Sequence, residues 1–195
     1  METTTTFNLK TEALKNGAIW GIINIVLFLV VWYAVPSLMS SYWFAGFSFI
    51  LGILLAVFFC LDLRKKAGGY WSFSQALWPI LAMFIMSMAI VFVFTILFSK
   101  FIDPTYPVKM KELATANVEK MMRSMGADDS AIEEALSKSD EKFDKQFNPT
   151  FGEAIFQFGL SALFYFIGAL IFALIFKKSN PNPFAPVNEE EVSTQ

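Results

Sequence analysis

No histidine occurs anywhere in the chain. Its absence removes Ser-His-Asp catalysis, the H-E-x-x-H zinc site and imidazole proton relays. Cysteine is nearly absent too: Cys60 stands alone, so no internal disulfide forms and no C-x-x-C is present for metal or redox work. It reads as a small buried apolar residue. There is no G-x-x-x-x-G-K-[ST] loop for nucleotide phosphates and no G-x-S-x-G for a nucleophile elbow. Charge is sparse, at 16% of residues with a net of -2. The basic residues sit in small groups near the ends of apolar runs instead of along one face, which argues against nucleic acid as a partner. Nothing calls for a metal or cofactor, and the chain reads as non-enzymatic.

What the chain does have is apolar length. Gly17 to Val35, Tyr42 to Leu61, Ala76 to Phe98 and Ala154 to Phe176 contain no Asp, Glu, Lys or Arg. Each run is long enough, as a helix, to cross a hydrocarbon core of roughly 30 Å, which takes about 20 residues. Backbone amides in lipid must bond within their own segment, and the strict alternation of a barrel strand is missing, so helices are the expected spans. The expected fold is all-α: an integral membrane four-helix bundle over 1–178, with residues 99–153 inserted as an extracytoplasmic helical hairpin between spans three and four. The leader Met1 to Asn16 balances Glu2 and Glu12 against Lys10 and Lys15. That suits an uncleaved first span better than a secretory signal.

Lys10, Lys15, Arg64, Lys65, Lys66, Lys177 and Lys178 fall on one side of such a bundle, while the turn Pro36 to Ser41 carries no charge. The positive-inside rule therefore places both termini in the cytoplasm. Trp32, Tyr33, Tyr42 and Trp43 bracket the outer turn, and Trp20, Tyr70, Trp71 and Trp78 lie near the cytoplasmic ends, so all the tryptophans read as interfacial anchors. Ser72 and Gln75 are spaced as a capping box for span three, and Pro79 falls near its first turn, where a missing amide costs little. Either Asn148 with Pro149, or Thr150 with Glu153, opens span four. The tail 179–195, with Glu189 to Glu191, has the composition of a disordered cytoplasmic segment.

The polar stretch Ser99 to Glu153 is far longer than the roughly 2 to 8 residues that join bundle helices. Asp103-Pro104-Thr105-Tyr106-Pro107 makes a stiff exit. Beyond it, Met110, Met121 and Met125 recur at helical spacing up to Gly126, and Ile132, Leu136 and Phe143 line a second helix capped by Asp129 or Ser130. Two such helices bury too little to stand alone, so their stripe must meet the bilayer surface, the span ends, another copy or a different protein. Met110, Met121, Met125, Ile132, Leu136 and Phe143 form the candidate association surface. Asp140, Glu141 and Asp144 lack the glycine and terminal glutamate of a calcium loop and read as a solvated face.

Polar side chains inside the runs are few, and Asn24, Gln157 and Ser161 are the candidate intramembrane contacts. Gly17-xxx-Gly21, Gly52-xxx-Ala56 and Ala169-xxx-Ala173 offer small faces for close helix approach.

The stretch Arg64-Lys65-Lys66-Ala67-Gly68-Gly69-Tyr70-Trp71-Ser72-Phe73-Ser74-Gln75-Ala76 and the Ile102-Asp103-Pro104-x-Tyr106 exit, in this order and with a charged pair of helices before span four, resemble the bacterial membrane family catalogued as domain of unknown function 4199. The resemblance runs from about Leu9 to Lys178. It implies a bacterial cytoplasmic (inner) membrane and carries over no activity and no functional residues. The expected partners are the lipid bilayer and either a second copy of the chain or an envelope membrane protein. The expected role is a non-enzymatic accessory or scaffold component; the alternative is a small oligomeric transporter or channel component.

Overall fold

The computed structural model of the chain describes residues 2–179, with side chains from residue 9 onward. Among the described residues six α-helices follow one another: α1 Glu2–Ala34, α2 Tyr42–Lys66, α3 Phe73–Leu97, α4 Tyr106–Ser124, α5 Asp129–Phe147 and α6 Phe151–Phe176. No strand is present among them beyond an isolated bridge between Trp71 and Lys178. The tail from residue 180 on, expected to be disordered, lies outside the described residues.

Four segments are long and apolar enough to cross a bilayer: Leu9–Ala34, Tyr42–Lys66, Phe73–Ile102 and Phe151–Phe176. Each contains one uncharged run read from the sequence, apart from the last residue of the first run, and each extends beyond it. The third passes through a π-helical turn, Phe98–Ile102, in which the Asp103 amide donates to the Phe98 carbonyl at 2.8 Å. The polar residue Ser99 does not end the helix, because its hydroxyl donates back to the Ile96 carbonyl at 3.0 Å. Pro79 stands deeper than expected. With α3 opening at Phe73 the proline falls in the second turn, where its ring removes the bond to the Gln75 carbonyl.

Small residues determine how the helices meet. α1 runs beside α3, with Gly17 facing the Met83 carbonyl and Gly21 facing Ile90 and the Ser87 carbonyl. α6 lies against α3 as well, through the fully buried Ala169 and Ala173 and the ring pairs Phe84–Phe172 and Phe92–Phe158, at 5.6 and 5.0 Å. α1 and α6 share no substantial contact. α2 joins this layer only along its second half, where Ala56, Phe59, Cys60 and Leu63 are buried. Its first half stands clear, and a Cβ at Gly46 or Gly52 would meet nothing within 4 Å. The Gly52-xxx-Ala56 face is thus half used, whereas the other two small-residue pairs sit in contacts.

Two apolar clusters result. One lies toward the end that carries the loop 67–72, and includes Trp20, Phe59, Leu63, Trp71, Ile80, Met83 and Ala173. The other lies at the end that carries the turn Pro36–Ser40, and joins Trp32, Phe98 and Met110 with Phe28, Phe94, Tyr106 and Phe147 around them.

The helix ends follow local chemistry. Ser72 with Gln75 and Thr150 with Glu153 both form reciprocal capping boxes, so Thr150 and not Asn148 opens α6. α5 is capped by Asp128, one residue before the expected pair. Its carboxylate accepts the Ala131 amide at 2.8 Å and the Ser130 hydroxyl at 2.9 Å, which engages Ser130 as a supporter of the cap. Gly126 closes α4 at φ 78°, a left-handed conformation in which the Ala127 amide reaches the Met122 carbonyl.

Candidate functional site

The pair α4–α5 is rich in charged residues, and its seat on the bundle is built from the exit sequence. Asp103 accepts the Trp32 indole N–H at 3.0 Å and the Thr105 amide at 3.0 Å. These bonds, with the Thr105 hydroxyl foremost, hold its carboxyl below the usual carboxylate range. Pro107 occupies the first turn of α4, where a missing amide costs nothing. Tyr106 drops edge-on into the rings of Trp32, Phe28 and Phe98, at 5.1, 5.6 and 5.6 Å. One turn on, Met110 is buried in the same cluster and Lys109 lies over the Trp32 face at 5.6 Å.

From there α4 crosses the end of the bundle. The Asn117 amide donates to the Ser40 carbonyl in the turn between α1 and α2, and the Tyr42 hydroxyl donates to Met121 Sδ at 3.1 Å. α5 folds back along α4. Lys111 ties the two, with Asp140 at 2.8 Å and Asp144 at 2.7 Å, so those two carboxylates form ion pairs on what the sequence reads as a solvated face. At the other end of the seam, Arg123 bridges Glu119 and Asp129. Gln157, near the start of α6, donates to the Lys145 carbonyl of α5 at 2.7 Å. An open groove of about 610 Å³ runs between α4 and α5 over Ile132 and Leu136, rimmed by Glu119, Arg123 and Asp140.

The candidate residues separate by position. Met110 and Ile132 are buried, at 9% and 4% exposure. Leu136, Phe143 and Met121 are half-buried. Met125, at the tip of the pair, is 65% exposed. Of the polar residues within the apolar runs, Gln157 and Ser161 share a face of α6, while Asn24 lies on α1 and is half-buried. α3 stands between those two helices, and Asn24 is not brought to the other two.

The opposite end holds a cluster that the sequence reading did not assemble. The buried Asn16 donates its amide to Asp62 at 2.8 Å. Lys66 reaches Asp62 at 2.8 Å and Glu12 at 2.7 Å, and Glu12 also takes Lys15 at 2.7 Å. This network joins α1 to α2. The four-residue step from Asp62 to Lys66 was a visible signal of half of it. The cross-helix half depends on the packing of α1.

Beside it, Trp71 is 2% exposed and its indole N–H donates to the Phe176 carbonyl at 2.7 Å. Its amide and carbonyl pair with those of Lys178 at 3.0 Å each. Gly68 and Gly69, at φ 87° and 81°, turn the chain sharply enough for this contact. The sequence reading of every tryptophan as an interfacial anchor is therefore corrected for Trp20, Trp32 and Trp71. Trp20 packs between Phe59 and Phe84, and the other two satisfy their indole N–H groups internally. Trp43 and Trp78 are exposed, at 89% and 59%.

The class defined by this architecture is an all-helical bundle with four helices long and apolar enough to cross a membrane. A family model described as "Protein of unknown function (DUF4199)" matches residues 15–178, and the chain belongs to that family. Comparison with curated proteins and with solved structures gives no match.

Proposed function

We propose that the chain is a non-enzymatic, multi-pass component of a bacterial cytoplasmic membrane, with its termini cytoplasmic and α4–α5 acting as an extracytoplasmic association element. The observation that carries this reading is the anchoring of the pair. Asn117 and Gln157 each make a side-chain bond to a main-chain carbonyl across the boundary between bundle and pair, and Tyr106 and Met110 bury α4 against the bundle end. A connection that merely joined two spans would need none of this. The arrangement presents α5 and the Met125 tip as a fixed platform for another envelope protein.

The apolar stripe serves mainly the seam and the seat, so the surface left for association is the tip around Met125 and the charged outer side of α5, which includes Glu134, Lys138 and Lys142. Polar surfaces of this kind support specific but moderate association, in which charge complementarity governs partner choice.

Site-specific photo-cross-linking in native membranes tests the reading. Cross-linkers at Met125, Glu134 and Lys142 are expected to give one discrete adduct that a cross-linker at the apolar surface residue Phe58 does not give. No protein adduct from any of the three would overturn it.

A further inference from the structure

We infer that the end of the bundle carrying Trp71 holds a binding site for the phosphodiester headgroup of an anionic phospholipid, formed by Arg64, Lys65, Lys177 and Lys178. In the sequence these residues fall into two groups more than a hundred positions apart. The structure brings the main chains of the two groups to one end of the bundle. The Trp71–Lys178 bridge fastens the loop that follows α2 to the residues that follow α6, and the Gly69 amide donates to the Arg64 carbonyl at 2.9 Å within the same loop.

Three observations give the cluster its chemistry. First, the nearby carboxylates are already committed: Glu12 to Lys15 and Lys66, and Asp62 to Lys66 and Asn16. Among the described residues Arg64, Lys65 and Lys177 have no ion-pair partner. Second, the end of α6 does not absorb the lysines. A helix C-terminus ordinarily attracts cations to its free carbonyls. Here a neutral indole N–H takes the Phe176 carbonyl, and among the described residues neither lysine ammonium bonds a carbonyl of the helix end, so both remain available. Third, Lys178 is held by a neutral ring and not by a carboxylate: its Nζ sits over Tyr70 at 5.0 Å. Tyr70 and the exposed Trp78 are of the amphipathic type that prefers the headgroup layer.

Four cations at the rim of an apolar bundle, two of them gathered by a main-chain bridge, fit a diffuse anion at headgroup depth. Each basic residue near an anionic surface contributes about fivefold to binding, so the group together favours a charged over a zwitterionic lipid by on the order of a hundredfold or more. This goes beyond the association role assigned to α4–α5, which lies at the other end of the molecule and is tested separately.

The experiment is native mass spectrometry of the full chain in mild detergent, titrated with phosphatidylglycerol or phosphatidylcholine. The expected result is saturable phosphatidylglycerol binding, tenfold or more tighter than phosphatidylcholine. The R64Q/K65Q/K177Q/K178Q variant is expected to lose that preference. Should that variant fold poorly, K65Q/K177Q removes two exposed, unpaired side chains and is expected to cut the preference by about tenfold or more. K120Q, on the exposed side of α4, is expected to leave it unchanged. Equal binding of the two lipids by the native chain, or a preference left undiminished in K65Q/K177Q, would overturn the inference. Displacement of phosphatidylglycerol by millimolar inorganic phosphate alone would do so too, since the site would then recognise a free anion.

Discussion

Gly17 lies against Met83 with no room for a side chain: a Cβ there would stand 2.4 Å from the Met83 carbonyl oxygen and 2.9 Å from Met86 Cβ. The nearer atom is helix backbone, which cannot swing aside. Gly17→Ala must therefore push α1 from α3 along the longest contact in the bundle, and overpacking of this kind costs about 1–3 kcal/mol. Gly52→Ala adds the same methyl group where nothing lies within 4 Å. It is expected to be neutral, or stabilising by up to about 1 kcal/mol through helix propensity. Thermal unfolding of both variants in detergent checks the contrast.

The bond between Trp32 and Asp103 makes the seat of α4 sensitive to acid. Asp103 titrates below its ordinary value in the folded chain, because the Thr105 hydroxyl and the Trp32 indole donate to it. Its contribution is therefore complete above the unfolded value of about 3.9 and is lost as pH falls through the lower folded value. Proteolysis within residues 99–148 is expected to accelerate as pH drops below about 4, and Asp103→Asn is expected to flatten that dependence. Trp32→Phe keeps the ring stack, removes the donor and is expected to cost about 0.5–1.5 kcal/mol at neutral pH.

Within the α4–α5 pair, burial should outweigh charge. Asp140 and Asp144 are each 60% exposed, and solvent screens ion pairs so exposed, so Lys111→Met is expected to change stability little. Ile132 is 4% exposed and sits in the seam, where truncation to alanine costs about 2–5 kcal/mol. Ile132→Ala should loosen the pair while the four long apolar helices stay intact. Hydrogen exchange resolved by segment distinguishes the two outcomes, with protection lost over α4 and α5 only in Ile132→Ala.

Much of the fold was legible because the signals were local. Uncharged length marked the four long apolar helices, the S-x-x-Q spacing marked the start of α3, and Gly126 marked the end of α4; for α6 the sequence left Asn148 with Pro149 and Thr150 with Glu153 as alternatives, and the backbone selects the second. The start of α5 was missed by one residue because Asp128, Asp129 and Ser130 are all competent caps, and only the backbone geometry selects among them. Tertiary pairing was much less visible. An indole reads as an interfacial anchor until a partner is seen, and the partners of Trp32 and Trp71 lie 71 and 105 positions away. The same holds for Asn16 and Asp62, 46 positions apart, whose bond requires α1 to lie beside the end of α2. The methionine stripe was legible as a periodic face, but its periodicity did not reveal that the bundle's own end covers Met110 while Met125 stays exposed.

The two exposed and three buried tryptophans offer a test of how the far end of α6 is held. Trp71→Phe preserves an aromatic ring and the main-chain bridge to Lys178, but it leaves the Phe176 carbonyl without its donor at 2.7 Å. A buried carbonyl left unpaired costs about 1–3 kcal/mol, and the smaller ring adds a void. Trp43, 89% exposed, has no comparable bond, so Trp43→Phe is expected to remain within about 0.5 kcal/mol of the native chain. If Trp71 served mainly as an interfacial anchor, the two variants would respond alike in detergent, where no bilayer interface exists. A lower melting temperature for Trp71→Phe alone, with faster hydrogen exchange at the end of α6, is the outcome expected from the internal bond.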